Sequence, residues 1–434
     1  MTIEHAKTER RILLNASALS VSEGLGQIAN FAFVISFART FGATQMAYYS
    51  VAMAVGAIAA LFFTLGTPSL MVREFSRDVT RIPDWLGLLL PLQGLLALAV
   101  WLVATLIAVL LVGDMRAITV ALAVCAYQIL LRLAAVLNTP LVATERMLIV
   151  SVGNLTYRVV TLALGLAAIR IGASAGWVAW TFVAGSGVYV ALAWHQTSRL
   201  FGRPRFRLAV REALQLFKLS APFFSIAALA VIYSRGAVVM LSAIATPHAV
   251  GLYAAADRIM VAVGLAPTMF NSAVYPALTR VADRSREDVR ALCGRSVLLM
   301  AAGTLPLAAL FSLFSAKLIL LLFGPAYQEA ARVLQILTWT LPIVGVQSLL
   351  GSQLIACNQQ HALARARFSG VTVFIVVSPV LIWALGFRGA AWSLLISDTV
   401  LLVYYFLILR AEGATPTFSF RRRTPAVGEI KARA

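Results

Sequence analysis

The sequence predicts an all-α polytopic membrane protein, with about twelve transmembrane helices arranged as two six-helix halves around a central cavity. Three observations lead there. Apolar residues fill 61% of the 434 positions and charged residues 12%. Soluble domains hold roughly half and a quarter, and one water-soluble core cannot absorb that excess. The apolar residues fall in runs of about twenty or more, the length a helix needs to cross roughly 30 Å of hydrocarbon. Runs such as 86–112 do not alternate apolar with polar residues, which argues against the strands of an outer-membrane barrel.

In chain order the helices fall at 12–37, 43–66, 85–112, 117–141, 148–169, 175–196, 219–244, 250–279, 294–316, 331–356, 367–385 and 388–409. Between them charge, glycine and proline gather. The first opens after Arg10 and Arg11. Its apolar run contains Glu23, Gln27 and Asn30 and no small-residue cleavage site, so it reads as a retained helix and not a signal peptide. A charged stretch from 67 to 84 closes the second helix, and Gly113-Asp114, Glu145-Arg146 and Arg170 mark the next junctions. The basic segment 197–218, containing Phe201-Gly202-Arg203-Pro204-Arg205-Phe206-Arg207, separates the sixth helix from the seventh. Thr246-Pro247-His248 is nearly all that lies between the seventh and eighth.

The net charge of +19 suggests nucleic acid until the charges are placed. With loops alternating sides, 26 of the 36 Lys and Arg lie on the side of the N-terminus, six lie opposite, and four are inside helices. By the positive-inside rule both termini are cytoplasmic, and the basic character is mostly topology, with some attraction to anionic lipid headgroups. No nucleic-acid partner is expected. Cys125, Cys293 and Cys357 have no metal-type spacing and read as packing residues, and the four histidines are scattered. Neither a metal site nor a cofactor is expected.

The chain carries an internal repeat. Leu141-Val142-Ala143-Thr144 and Leu354-Ile355-Ala356-Cys357 end the fourth and tenth helices at an offset of 213 residues, and Gly176-Trp177 and Gly389-Ala390-Ala391-Trp392 open the sixth and twelfth at the same offset. The expected organisation is a six-helix half over 1–200, a basic cytoplasmic linker over 201–218, a second six-helix half over 219–410 and a disordered cytoplasmic tail over 411–434. Repeated halves are common in secondary transporters, whose substrate site lies between the repeats near the bilayer midplane.

No catalytic apparatus is visible. The outer loops are too short to house an enzyme site, and there is no phosphate-binding glycine loop, so the chain reads as a non-enzyme that draws energy from a gradient. The chemistry lies in the ionisable residues within the helices, where a charge costs roughly 2.5 to 3.5 kcal/mol and therefore faces a cavity or a partner. They are Glu23, Arg132, Arg158, Arg235, Asp257, Arg258 and Asp398. Glu23, Gln27 and Asn30 share one helical face, and Gln128 with Arg132, and Asn154 with Arg158, repeat the four-residue spacing. Arg235 and Arg258 fall at similar depth, counted at about 1.5 Å per residue. The four arginines are candidates for substrate binding, because a guanidinium donates paired hydrogen bonds to phosphate oxygens. Glu23, Gln27, Asn30, Asp257 and Asp398 are candidate coupling or cavity residues. The competing reading pairs Arg235 with Asp257 and Glu23 with an arginine.

Several segments resemble the polysaccharide flippases of the multidrug/oligosaccharidyl-lipid/polysaccharide exporter superfamily. They are Leu70-Met71-Val72-Arg73-Glu74-Phe75-Ser76-Arg77, Tyr233-Ser234-Arg235 followed by Gly251-Leu252-Tyr253-Ala254-Ala255-Ala256-Asp257-Arg258, and Leu322-Phe323-Gly324-Pro325-Ala326-Tyr327 with the helix after it. The resemblance covers essentially the whole chain. It implies movement of polyprenyl-diphosphate-linked oligosaccharide from the cytoplasmic to the outer leaflet, for O-antigen, capsule or exopolysaccharide, by alternating access. The implied partners are that substrate, membrane lipids, and a polysaccharide polymerase with its chain-length machinery. In one respect this chain departs from the family. An acidic residue often follows the seventh-helix arginine there, and Gly236 stands here. Two rival readings are a drug or cation antiporter of the same superfamily, which the arginine excess disfavours, and a non-transporting scaffold of a polysaccharide assembly complex.

Overall fold

The computed structural model describes residues 2–282 and 285–417, with side chains from Ser22 onward except that of Ile226. Among them there are helices and no strands. Helix α1 runs Thr2–Thr64, α2 Thr67–Phe75, α3 Ile82–Val112, α4 Ile118–Ala143, α5 Met147–Arg170, α6 Ala175–Phe201, α7 Val210–Ile244 and α8 Pro247–Val263. Then come α9 Leu265–Ala282, α10 Arg286–Leu313, α11 Ser315–Phe323, α12 Ala330–Leu337, α13 Thr340–Ala356, α14 Gln360–Leu385 and α15 Phe387–Ala411. Among the described residues, 11 segments are long and apolar enough to cross a membrane. The longest, Ser22–Thr64, spans two of the expected helices. Gly42 divides it, with φ 75 and ψ 180, a backbone state open to glycine and costly to any residue carrying a Cβ. Two helices therefore stand where one continuous run is drawn, which gives the expected twelve.

Elsewhere the boundaries differ from expectation. The expected helix 250–279 is cut at Gly264, three residues before Pro267, and the expected helix 331–356 at Thr338 and Trp339, just before Pro342. A proline is comfortable only in the first turn of a helix and disfavours helical geometry in the residue before it, so a new helix starts ahead of each. Phe314 separates α10 from α11 inside the expected 294–316. Helix α7 begins at Val210, so the connection to α6 is short. Most of the expected tail, residues 418–434, lies outside the described residues.

The two helix ends singled out by the 213-residue offset close in the same way. The Arg146 N–H donates to the Leu141 carbonyl and the Gln359 N–H to that of Leu354, each at 2.8 Å. Glu145 and Asn358 hold positive φ values of 58 and 60. Both are left-handed caps that satisfy the last carbonyls of α4 and α13.

The chain forms two compact units. One comprises the chain up to Leu265 with Phe311–Thr338 and Val371–Ser397, and the other Ala266–Leu310, Trp339–Gly370 and the chain from Asp398 on. The second unit has its own core of Leu278, Val289, Leu349, Leu354 and Tyr405. In the first unit an aromatic cluster centres on Phe182, with Phe33, Tyr49 and Tyr127 rings 4.6, 5.6 and 5.1 Å from it. Next to the Gly42 break, Arg39 Nε donates to the Leu322 carbonyl at 2.8 Å and its Nη2 to that of Leu321. The Tyr327 hydroxyl donates to the Ala38 carbonyl at 3.1 Å. The Leu-Phe-Gly-Pro-Ala-Tyr motif is thus the piece that ties the end of α11 to α1.

Candidate functional site

Inside the first unit α1, α4, α5, α6, α7 and α8 enclose a cavity of about 190 Å³. Arg158, Arg235 and Arg258 all line it, with Gln27, Asn30, Tyr127, Gln128, Tyr157 and Phe182. Three of the four candidate arginines therefore meet in one place. Arg132 is half-buried on α4 and does not line the cavity, although it follows Gln128 by four residues. Asp257 is half-buried beside Arg258 and is not a lining residue either. Asp398 is buried in the second unit, where Gln347 Nε2 donates to its backbone carbonyl at 2.5 Å.

The arginines differ in how their charge is met. Glu23 accepts from Arg158 Nη2 at 3.0 and 3.1 Å, from Gln27 Nε2 at 3.1 Å and from Asn154 Nδ2 at 3.3 Å. Arg158 Nε in turn donates to Asn154 Oδ1 at 3.0 Å. The polar faces read separately on α1 and α5 are the two sides of this one network. Gly26 makes room for it. A Cβ at that position would stand 2.3 Å from Arg158 Cδ, so any larger residue forces the arginine to shift from the path by which it crosses α1 to reach Glu23.

Arg235 and Arg258 are arranged differently. Among the described residues the ion pairs within 4.0 Å involve neither of them, and Glu23 with Arg158 is the pair at the cavity. The expected Arg235 to Asp257 pair is not formed at that distance, although Asp257 lies within electrostatic reach of both arginines. Arg258 is 7% exposed and its guanidinium lies 5.6 Å from the centroid of the Tyr49 ring, a cation–π arrangement that holds a charge without neutralising it. Arg235 and Arg258 are also close enough to repel one another. The cavity thus presents one ion-paired cation and two that are in no ion pair and share the one nearby carboxylate of Asp257, with amide groups and aromatic rings around them. The aromatic wall was not among the expected site residues. Its signal was present, since Tyr127 and Tyr157 directly precede Gln128 and Arg158 in the polar faces of their helices.

The chain can now be set beside known proteins. The sequence model of a family described as "Polysaccharide biosynthesis protein" matches residues 12–282, more than half of the chain and every element of the cavity. The chain belongs to that family. Among curated members of related sequence, it is similar to the probable low-salt glycan biosynthesis flippase Agl15 of Haloferax volcanii, 25% identical over 226 residues. That match covers 51% of this chain and 47% of the relative, so the chain spans about half the length of the curated relative it matches. Among solved structures it resembles the lipid II flippase MurJ in an inward closed conformation, with TM-score 0.70 and 14% identity over 92% of this chain and 87% of the other. It also resembles an inward-facing multidrug resistance transporter of the MOP superfamily, with TM-score 0.71 and 14% identity over 89% and 94% of the two chains. A third likeness, TM-score 0.62 at 13% identity over 92% and 95%, is to a MOP superfamily transporter of Pyrococcus furiosus described by a reversed polarity of its binding pocket. At these identities the likeness is one of fold, and it gives the polysaccharide biosynthesis family member a transporter architecture with many membrane spans.

Proposed function

We propose that this polysaccharide biosynthesis family member is a flippase. It carries polyprenyl-diphosphate-linked oligosaccharide from the cytoplasmic to the outer leaflet of a bacterial inner membrane, for O-antigen, capsule or exopolysaccharide. One observation supports this most directly: Arg235 and Arg258 face a common cavity with no carboxylate within ion-pairing distance among the described residues. Two guanidinium groups free of an ion pair, with one carboxylate between them, keep a net positive charge and suit a diphosphate, which accepts paired hydrogen bonds from each. A cationic drug would meet repulsion there, which disfavours the antiporter reading. Tyr127, Tyr157, Gln27, Asn30 and Gln128 offer ring faces and amides to the first sugar.

At about 190 Å³ the cavity is smaller than the roughly 300 to 1,000 Å³ of ordinary ligand sites. The headgroup therefore enters a more open form, and the two six-helix halves rock around it while the polyprenyl tail stays in lipid. Both termini face the cytoplasm, and a polymerase with its chain-length machinery takes the product on the far side. Glu23 has a coupling role in this scheme. Loss of its charge releases Arg158 to the substrate as a third cation.

The test is polymer export in cells whose own flippase of this class is deleted. Arg258→Lys keeps the charge and loses the planar fork, and should retain partial export. Arg258→Ala, and Arg235→Ala with Arg258→Ala, should retain almost none at unchanged protein abundance. Wild-type export by the double variant would refute the cationic-cavity mechanism and leave the scaffold reading in its place.

A further inference from the structure

A second space in the first unit is unlike the cavity in every respect. It is a groove of about 910 Å³ with almost wholly apolar walls. Helix α3 contributes Leu90, Pro91, Gly94 and Ala97, α4 contributes Ile129, Leu130, Leu133 and Leu137, and α6 contributes residues from Gly187 to Trp194. Its depth can be counted along the helices. Leu90 to Ala97 lie eight to fifteen residues from the start of α3, and Leu137 and Trp194 lie six or seven from the ends of α4 and α6. At about 1.5 Å per residue the groove occupies one leaflet, on the side of the α6–α7 connection. The groove and the cationic cavity use opposite faces of α4, since Tyr127, Gln128 and Leu131 line the cavity about half a turn away from the groove residues.

Two features indicate that the groove is kept open and that its mouth is charged. At Gly94 and Gly187, both lining it, an added Cβ would meet nothing within 4 Å. These glycines do not serve close helix packing; they leave volume unfilled. The mouth is formed by the connection itself, as Phe206, Arg207 and Leu208 line the groove. This segment is fastened to the start of α3. The Arg205 N–H donates to the Pro83 carbonyl at 3.0 Å and that of Arg207 to the Gly87 carbonyl at 3.1 Å. Pro91 has no N–H to offer the Gly87 carbonyl, which is why that acceptor is open to the strap. A Cβ on Gly87 would stand 2.0 Å from the Arg205 carbonyl oxygen, so the strap lies directly on the helix backbone. Phe206 stacks on Trp194 with centroids 6.2 Å apart and planes 4° apart. Arg199, Arg203, Arg205, Arg207 and Arg211 cluster around this mouth in the sequence, against Asp84, which meets Arg205 at 3.4 Å, and Glu212, which meets Arg207 at 2.9 Å. The balance is cationic.

We infer that the groove is a binding site for one acyl chain of an anionic glycerophospholipid, whose phosphate lies with Arg207 and its neighbours on the strap. An apolar trough in one leaflet with arginines and aromatic rings at its headgroup end matches the shape and charge of such a lipid. A chain in the groove leaves its headgroup at the strap, with α4 between it and Arg235 and Arg258, so the occupant is a resident lipid and not the transported substrate.

The experiment uses the full chain in phosphatidylcholine vesicles, with phosphatidylglycerol or phosphatidylcholine brominated on the acyl chains. Quenching of Trp194 is read as the difference between the protein and its Trp194→Phe variant. Half-quenching should need an about fivefold lower mole fraction of brominated phosphatidylglycerol than of brominated phosphatidylcholine, the worth of roughly one juxtamembrane arginine. Arg207→Gln should remove most of that preference. Gly94→Leu and Gly187→Leu, each placing a side chain in empty space, should each reduce quenching by both lipids while the protein stays monodisperse in detergent. Equal quenching by the two lipids in the unaltered protein, or undiminished quenching in the two leucine variants, overturns the assignment. Displacement of brominated phosphatidylglycerol by polyprenyl phosphate at far lower mole fraction than by unbrominated phosphatidylglycerol also overturns it, because the groove would then belong to the carrier lipid.

Discussion

Removing the charge of Glu23 tests how α1 and α5 are held together at the cavity. Glu23→Gln keeps the size of the side chain and its ability to hydrogen-bond with Gln27 and Asn154, but loses the charge that Arg158 meets at 3.0 Å. The Arg158 side chain is 15% exposed and that of Glu23 42%. The magnitude lies between two limits. Removing one partner of a fully buried pair costs about 3 to 5 kcal/mol, and an exposed pair is worth about 0 to 1 kcal/mol. Two charge-assisted bonds with a half-exposed carboxylate fall between, so a coupling energy of about 1 to 2 kcal/mol is expected. A double-mutant cycle of Glu23→Gln and Arg158→Met, followed by reversible unfolding in mixed micelles, measures it directly. Arg158→Met removes the charge and retains a long side chain beside Tyr157, whose ring Arg158 overlies at 5.7 Å. A coupling below about 0.3 kcal/mol, the scatter expected of independent sites, would refute the network.

Three further outcomes follow from particular contacts. Gly26→Ala should reproduce the transport defect of Arg158→Met, and the two together should be no worse than either, because the added Cβ stands 2.3 Å from Arg158 Cδ and displaces the same guanidinium; additive defects in the export assay contradict this. Asp114, at the junction of α3 and α4, is held below the ordinary carboxylate range by the hydrogen bond from Tyr48 first and the Arg116 backbone N–H second. A carboxylate with a lowered folded value contributes stability at neutral pH that is lost on acidification below about 3.9, so Tyr48→Phe should flatten the acid limb of a thermal-stability profile, and an unchanged limb counts against it. Topology is tested by a cysteine at Gly428 in a chain with Cys125, Cys293 and Cys357 replaced by serine. It should resist an impermeant thiol reagent in intact cells, and ready labelling would reverse the orientation.

Much of the fold was legible in the sequence because length and apolarity suffice to count helices. The convergence of Arg235 and Arg258 was legible too, since depth along a helix is fixed by its rise per residue. Lateral packing is a different matter. Glu23 showed no neighbour of opposite sign in its own helical stripe, and the cation that meets it, Arg158, comes from α5 across the space beside Gly26. Arg132 shares a four-residue spacing with Gln128, yet only Gln128 lines the cavity, because a helical face some 100° wide includes residues that look toward different neighbours. The breaks at Gly264 and at Thr338 were hidden within apolar runs, where prolines three or four residues further on were the signal.

The central claim is that Arg235 and Arg258, neither of them held in an ion pair, receive a lipid-linked diphosphate for translocation. Purified protein in vesicles with a fluorescent polyprenyl-diphosphate sugar in one leaflet tests it most directly, the label in the other leaflet being read by a membrane-impermeant quencher. The account predicts that the unaltered protein speeds transfer, that Arg258→Lys slows it, and that Arg235→Ala with Arg258→Ala reduces it to the rate of protein-free vesicles. Transfer by the double alanine variant at the rate of the unaltered protein would contradict it.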